Sequence, residues 1–192
     1  MVLLNSKLDR RIQYTRMILK ESLMKLLKEK PISSITVKEL CALADINRST
    51  FYSHYSDQYD LLTQVEEEII QDMNETLLNY NINQDEESFQ MIEKIVEYVA
   101  ANSDICETLF SENGDPSFKK RVMMLAHDYT VKSWMSSYPV DDSITSEYAS
   151  LFAISGSIHI LEIWLKNGMD KTPKEMAEII NNLTNKGLSS LR

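Results

Sequence analysis

The chain has 192 residues, of which 43% are apolar and 26% charged, with only 4 Gly and 4 Pro. This is the composition of a soluble protein rich in helix formers, and it excludes an all-β design, whose turns need far more Gly and Pro. The net charge of −9 is unevenly placed: residues 1–56 carry ten Lys/Arg against five Asp/Glu, and residues 57–192 carry ten against 24. A basic head on an acidic body predicts a polyanionic partner at the head alone.

The first helix is predicted from Arg10 to Glu29, with Ile18, Leu19, Leu23, Leu26 and Leu27 on one face and Pro31 as its stop. A second helix opens at Thr36, where Thr36 and Glu39 form a T-x-x-E capping box. Val37, Leu40, Cys41 and Ala44 face inward. Asp45 sits at a sharp turn, since Asp tolerates the left-handed conformation, and Ile46 plugs that turn. Asn47 is an N-cap for a third helix anchored by Phe51 and Tyr55, leaving Arg48, Ser49, Thr50, Tyr52 and His54 nearer the outside. Two short helices around a tight turn, the second opening on small polar and basic residues, are suited to the DNA major groove.

Asp57 caps a fourth helix running to Tyr80, with an acidic middle at Glu66, Glu67 and Glu68. The stretch NINQDEES reads as a linker, and further helices are predicted at about 86–101, 104–112, 117–138, 144–167 and 173–187. Asn113-Gly114-Asp115-Pro116 and Tyr138-Pro139 break them, Asn167-Gly168 supplies a glycine C-cap, and Thr172-Pro173 starts the last. The expected fold is all-α, about nine helices, with a helix-turn-helix domain at 1–56 and a helical ligand-binding and dimerisation domain at 57–192.

The last two helices carry apolar stripes. Tyr148, Phe152, Ser155 and His159 follow one, with Gly156 making its middle small, and Met176, Ile180 and Leu183 follow the other. They are expected to form a four-helix homodimer interface, the alternative being closure of the protomer's own core.

The two cysteines, Cys41 and Cys106, form no disulfide framework and read as buried. The apolar run of MVLLNSKLDRR is too short for a signal peptide, and no apolar run approaches the ~20 residues of a membrane span. A cytoplasmic protein is expected. His54, His127 and His159 show no metal-ligand spacing with the cysteines, and no catalytic motif appears, so neither an enzyme nor a cofactor is expected.

From Tyr14 to Leu62 the chain closely resembles the TetR family of one-component transcription factors. TRMILKESLMKLLKEK is similar to the family's first helix, ITVKELCALADI to its second helix and turn, NRSTFYSHY to its recognition helix, and DQYDLL to the start of its fourth. IWLKNGMDKTPKEMAEII more loosely resembles a subgroup that includes regulators of dihydroxyacetone utilisation. Three positions depart from the family pattern: Lys30-Pro31 replaces the glycine ending the first helix, Asp45 replaces the turn glycine, and Gln58 replaces a phosphate-binding lysine.

The resemblance implies a homodimeric regulator on a pseudo-palindromic double-stranded DNA operator, most simply a repressor. An activator of the same fold and a helical protein-interaction module are the alternatives. Arg48 is the candidate base reader or phosphate contact. Ser49, Thr50, Tyr52, His54, Thr36, Lys38, Asn47 and Gln58 are candidate DNA contacts beside it, with Arg10, Arg11 and Arg16 as phosphate candidates. The resemblance also implies a pocket for a small apolar effector behind the fourth helix. Tyr98, Phe110, Met123, Met124, His127, Trp134 and Met135 are its candidates, although the same residues at helical spacing also read as core.

Overall fold

The computed structural model describes residues 2–80, 85–137 and 143–189, with side chains for 10–80, 86–129 and 147–184. These residues form α1 (Val2–Leu27), α2 (Val37–Leu43), α3 (Arg48–Tyr52), α4 (Gln58–Leu78), α5 (Asp85–Ala101), α6 (Ser103–Phe110), α7 (Pro116–Ser137), α8 (Ser143–Lys166) and α9 (Pro173–Ser189). A short 3-10 turn spans Ile32–Ser34, and no strand occurs among the described residues. The fold is all-α, as expected.

Most boundaries fall within two residues of expectation. α1 is the exception: it begins at Val2, not near Arg10, because residues 2–9 contain no Gly or Pro to stop it. The predicted linker is shorter than expected, since its second half, from Asp85, is already helical. The expected break at Tyr138-Pro139 lies outside the described residues.

Leu19, Leu23 and Leu27 of α1 are fully buried with Leu40 of α2 and Phe51 of α3. Ile35 joins them. Leu61, Val65, Ile69 and Met73 of α4 carry this core onward to Val96, Val99, Leu109, Phe118 and Ile158 of the later helices. α4 packs on α1, α5 and α7, and the most extensive helix pairing is α5 with α9. That pairing buries Met176, Ala177 and Ile180.

α8 corrects one expectation. Glu147–Lys166, with a mean hydropathy of 1.3, is long and apolar enough to cross a membrane by length and composition. Ser155, Ser157, His159 and Glu162 interrupt the apolar run without lowering that mean enough. The inner face of α8 belongs to the core through Ile154, Ile158, Trp164 and Leu165.

The turn after α8 explains the stretch resembling the subgroup. Gly168 at φ 74 and Met169 at φ 57 reverse the chain, and Met169 N donates to Trp164 O at 2.9 Å. The buried Trp164 indole donates to Lys171 O at 3.0 Å. Thr172 and Glu175 then form a reciprocal cap at the start of α9, with Thr172 N donating to Glu175 Oε2 at 2.8 Å.

Candidate nucleic-acid interface and ligand cavity

Local hydrogen bonds build the α2–turn–α3 unit. Glu39 N donates to Thr36 Oγ1 at 3.3 Å while Glu39 Oε2 accepts Thr36 N at 3.0 Å, completing the predicted capping box. Lys30 Nζ lies 2.5 Å from Glu39 Oε1. That ammonium, with the Thr36 hydroxyl and backbone N–H, holds the Glu39 carboxyl down at about 2. Asp45 takes φ 52, the left-handed conformation expected of it, and Ile46 N reaches back to Cys41 O at 3.0 Å.

Asn47 caps α3: its Oδ1 accepts Thr50 N at 2.8 Å, Ser49 Oγ at 2.6 Å and Thr50 Oγ1 at 2.9 Å. The hydroxyls of Ser49 and Thr50 thus donate inward and retain their oxygens as acceptors. Phe51 is fully buried and Tyr55 nearly so, their ring centroids 5.8 Å apart. Anchored by that pair, the five-residue helix leaves Arg48, Ser49 and Tyr52 exposed, with Thr50, His54 and Gln58 half-buried. Thr36, Lys38 and Asn47 are exposed as well.

Basic residues behind this surface divide into two groups. Arg16 donates to Gln64 Oε1 at 3.0 Å and to Tyr55 Oη at 3.4 Å, and Lys20 pairs with Glu68 at 2.9 Å. These two cations tie α1 to α4 and to Tyr55 in the segment between α3 and α4. Arg11, Lys38 and Arg48 stand exposed.

An apolar cavity of about 220 Å³ lies among α4 to α9. Met73 and Leu77 of α4, Phe110 of α6, the inner faces of α5 and α8, and Ile180 and Thr184 of α9 line it. Of the predicted pocket residues whose side chains are described, only Phe110 reaches it. Tyr98 instead donates its hydroxyl to Asp72 at 2.9 Å, and burial raises its pKa. Met124 is 56% exposed, Met123 is half-buried against the core, and His127 is half-buried off the cavity with Asp128 at 4.0 Å. The side chains of Trp134 and Met135 lie outside the described residues.

The correction on α7 is one of rotation. Val122, Leu125, Ala126 and Tyr129, at i, i+3, i+4 and i+7, face the cavity. Met124 and His127 fall between those positions. On α8 the stripe Ile154, Ser157, Ile158 and Leu161 faces the cavity; its helical spacing was a legible signal.

The expected dimer residues separate by face. Tyr148 is 70% exposed, Phe152 80% and Leu183 60%, with Ser155 and His159 also exposed and Gly156 half-buried. Met176 and Ile180 are corrected: each is only 5% exposed, buried where α9 packs against α5. An apolar stripe requires a cover, and α5 of the same chain supplies it.

Comparison with known proteins bears on this arrangement. Residues 86–186 match the TetR-type "Transcriptional regulator C-terminal region" family. A 58-residue segment is 38% identical to the HTH-type transcriptional regulator YxbF of Bacillus subtilis (strain 168), a match taking in 30% of this chain and 14% of that relative. Among solved structures, a TetR transcriptional regulator from Streptococcus agalactiae 2603V is similar at TM-score 0.68 and 24% identity, covering 94% of this chain and 98% of that one. The dihydroxyacetone kinase operon activator DhaS is similar at TM-score 0.60 and 18% identity, covering 92% and 97%. The regulator FadR from Bacillus subtilis, solved with stearoyl-CoA, is similar at TM-score 0.65 and 15% identity, covering 89% and 98%. With the family match spanning more than half of the chain and the all-α fold around it, this chain belongs to the TetR family of DNA-binding transcriptional regulators.

Proposed function

We propose that the protein is a cytoplasmic homodimeric repressor that binds a pseudo-palindromic operator through residues 1–56 and senses a small apolar effector through residues 57–192. The exposed start of α3 carries this reading. Asn47 caps the helix and Phe51 and Tyr55 anchor it, so that Arg48, Ser49 and Tyr52 stand outward on the net-basic part of an acidic chain. In a major groove, Arg48 would pair with guanine O6 and N7. Thr36, Lys38, Tyr52 and Gln58 would contact phosphates, Gln58 as a neutral donor. Asn47, Ser49 and Thr50 support the close approach, with His54 at the rim.

The dimer reading rests on the outer face of α8, where Tyr148 and Phe152 stand exposed beside Ser155, Gly156 and His159. Leu183 of α9 extends it. The effector reading rests on the cavity. Met73 and Leu77 place one end of α4 in its wall, while Leu61 and Leu62 near the other end join the core beneath the head. A ligand that moves α4 would alter operator affinity. An activator is the second reading, favoured by the likeness to DhaS, whose name is that of an activator.

Selection of bound fragments from random DNA tests the function. The expected outcome is an enriched inverted repeat whose binding weakens steeply with salt. Enrichment of no sequence, or binding indifferent to salt, would refute it.

A further inference from the structure

Among the described residues the cavity's polar side chains are few, and three of the four hydroxyls are already engaged. Among the described residues no Lys, Arg, His, Asp or Glu lines it. Ser157 Oγ donates to Ala153 O at 2.7 Å and Thr184 Oγ1 to Ile180 O at 2.8 Å. The Tyr129 hydroxyl donates to Tyr80 O. These three hydroxyls therefore offer lone pairs, not protons, and Ser88 is the remaining polar side chain in the wall. Among the described residues a carboxylate or phosphate brought inside would meet neither a cation nor a set of donors, and a cation would meet no carboxylate. Such a charge loses its hydration without replacement.

We propose that this cavity takes an uncharged apolar molecule, at most carrying a hydroxyl or other neutral hydrogen-bond donor, and rejects fatty carboxylates and acyl phosphoesters. The hydroxyl oxygens of Ser157 and Thr184 can accept one hydrogen bond from such a guest, and the rest of its surface meets Ile, Leu, Val and Met side chains. The inference rests on the reading of the cavity as an effector site and narrows its ligand class.

Decanol, decanoate and decanoyl-CoA share one chain and differ at the head. Each is titrated into the full-length protein at about pH 8 against a neutral naphthylamine fluorophore. Decanol should displace the fluorophore at least about tenfold more tightly than either anion. Lowering the pH should strengthen decanoate and leave decanol unchanged, because only the protonated acid enters. Ala153→Phe, which fills the wall of the cavity, should abolish displacement by decanol; Ser157→Leu at the same wall replaces it if that variant does not fold. Displacement by decanoate or decanoyl-CoA as tight as by decanol, and lost in the filled variant, would overturn the neutral class while leaving the effector site standing. No displacement by any of the three, or displacement unchanged in the filled variant, would overturn both.

Discussion

Glu66 of α4 and Arg121 of α7 form an ion pair inside the protein, the Glu66 side chain only 1% exposed and that of Arg121 33%. Glu66 Oε1 and Arg121 Nε have no hydrogen-bond partner among the described residues. The pair fastens α4, which follows the α2–turn–α3 unit, to α7. Burial drives the Glu66 carboxyl up to about 7, against the pull of Arg121, and the nearby charges of Asp115 and Glu67 add to the rise.

Stability should therefore fall with rising pH through this group. Its pKa is raised above the ordinary 4.5, so the folded chain holds the proton more tightly than the unfolded one. The contribution is fully present below the unfolded value and is lost as pH climbs through about 7. Urea unfolding of the wild type and Glu66→Gln at about pH 5 and about pH 8 should differ in pH slope by on the order of 2 kcal/mol. Equal slopes would mean that Glu66 does not titrate in this window.

Removing the other partner should be worse. Arg121→Met leaves a buried carboxylate uncompensated at about pH 8 and should cost about 3–5 kcal/mol. The loss should shrink at about pH 5 and be largely relieved in the double variant with Glu66→Gln. A double variant as unstable as Arg121→Met alone would assign the cost to lost packing of the arginine stem.

Arg48→Ala should cost about 1–3 kcal/mol of discrimination between operator and random DNA. Much of the salt-dependent nonspecific binding should remain. Gel shifts with unchanged discrimination would reduce Arg48 to a phosphate contact.

Gly156 offers a probe of the proposed dimer that spares the protomer. A Cβ built there meets nothing within 4 Å, so Gly156→Glu should leave the helical signal and melting cooperativity of one protomer intact. Were this face the proposed interface with a second copy, the added charge should shift light scattering from dimer to monomer. An unshifted dimer would move the interface elsewhere.

Two backbone positions should each tolerate glycine and resist a larger or branched side chain. At Gly114 a Cβ would lie 2.3 Å from the Leu109 carbonyl oxygen, so Gly114→Ala should lose about 1–3 kcal/mol as the α6–α7 turn shifts. Asp45, at φ 52, should accept Gly with little change, whereas Asp45→Val should lose about 1–2 kcal/mol. Thermal unfolding of the three variants tests both positions.

The parts of this protein legible in its residues are those made by short-range bonds. The Thr36–Glu39 box, the Asn47 cap and the Asp45 turn each join groups no more than five residues apart, so type and spacing suffice. Helix boundaries followed from Gly, Pro and caps for the same reason. What faces a given helix is different information. Glu66 reads as one of three solvated acids until Arg121, 55 residues away, reaches it. Met124 and His127 have the chemistry of a ligand site but the wrong rotation on α7, and the cavity is met by Val122, Leu125 and Tyr129 instead. Met176 and Ile180 announce a covered face without naming its cover, which is α5 of the same chain. The residues alone determined a helix-turn-helix on a basic head and an all-helical body. The tertiary structure decided which faces are cavity, core and open surface, because an apolar stripe is satisfied equally by any neighbour that excludes water, and only the packing of distant helices selects one.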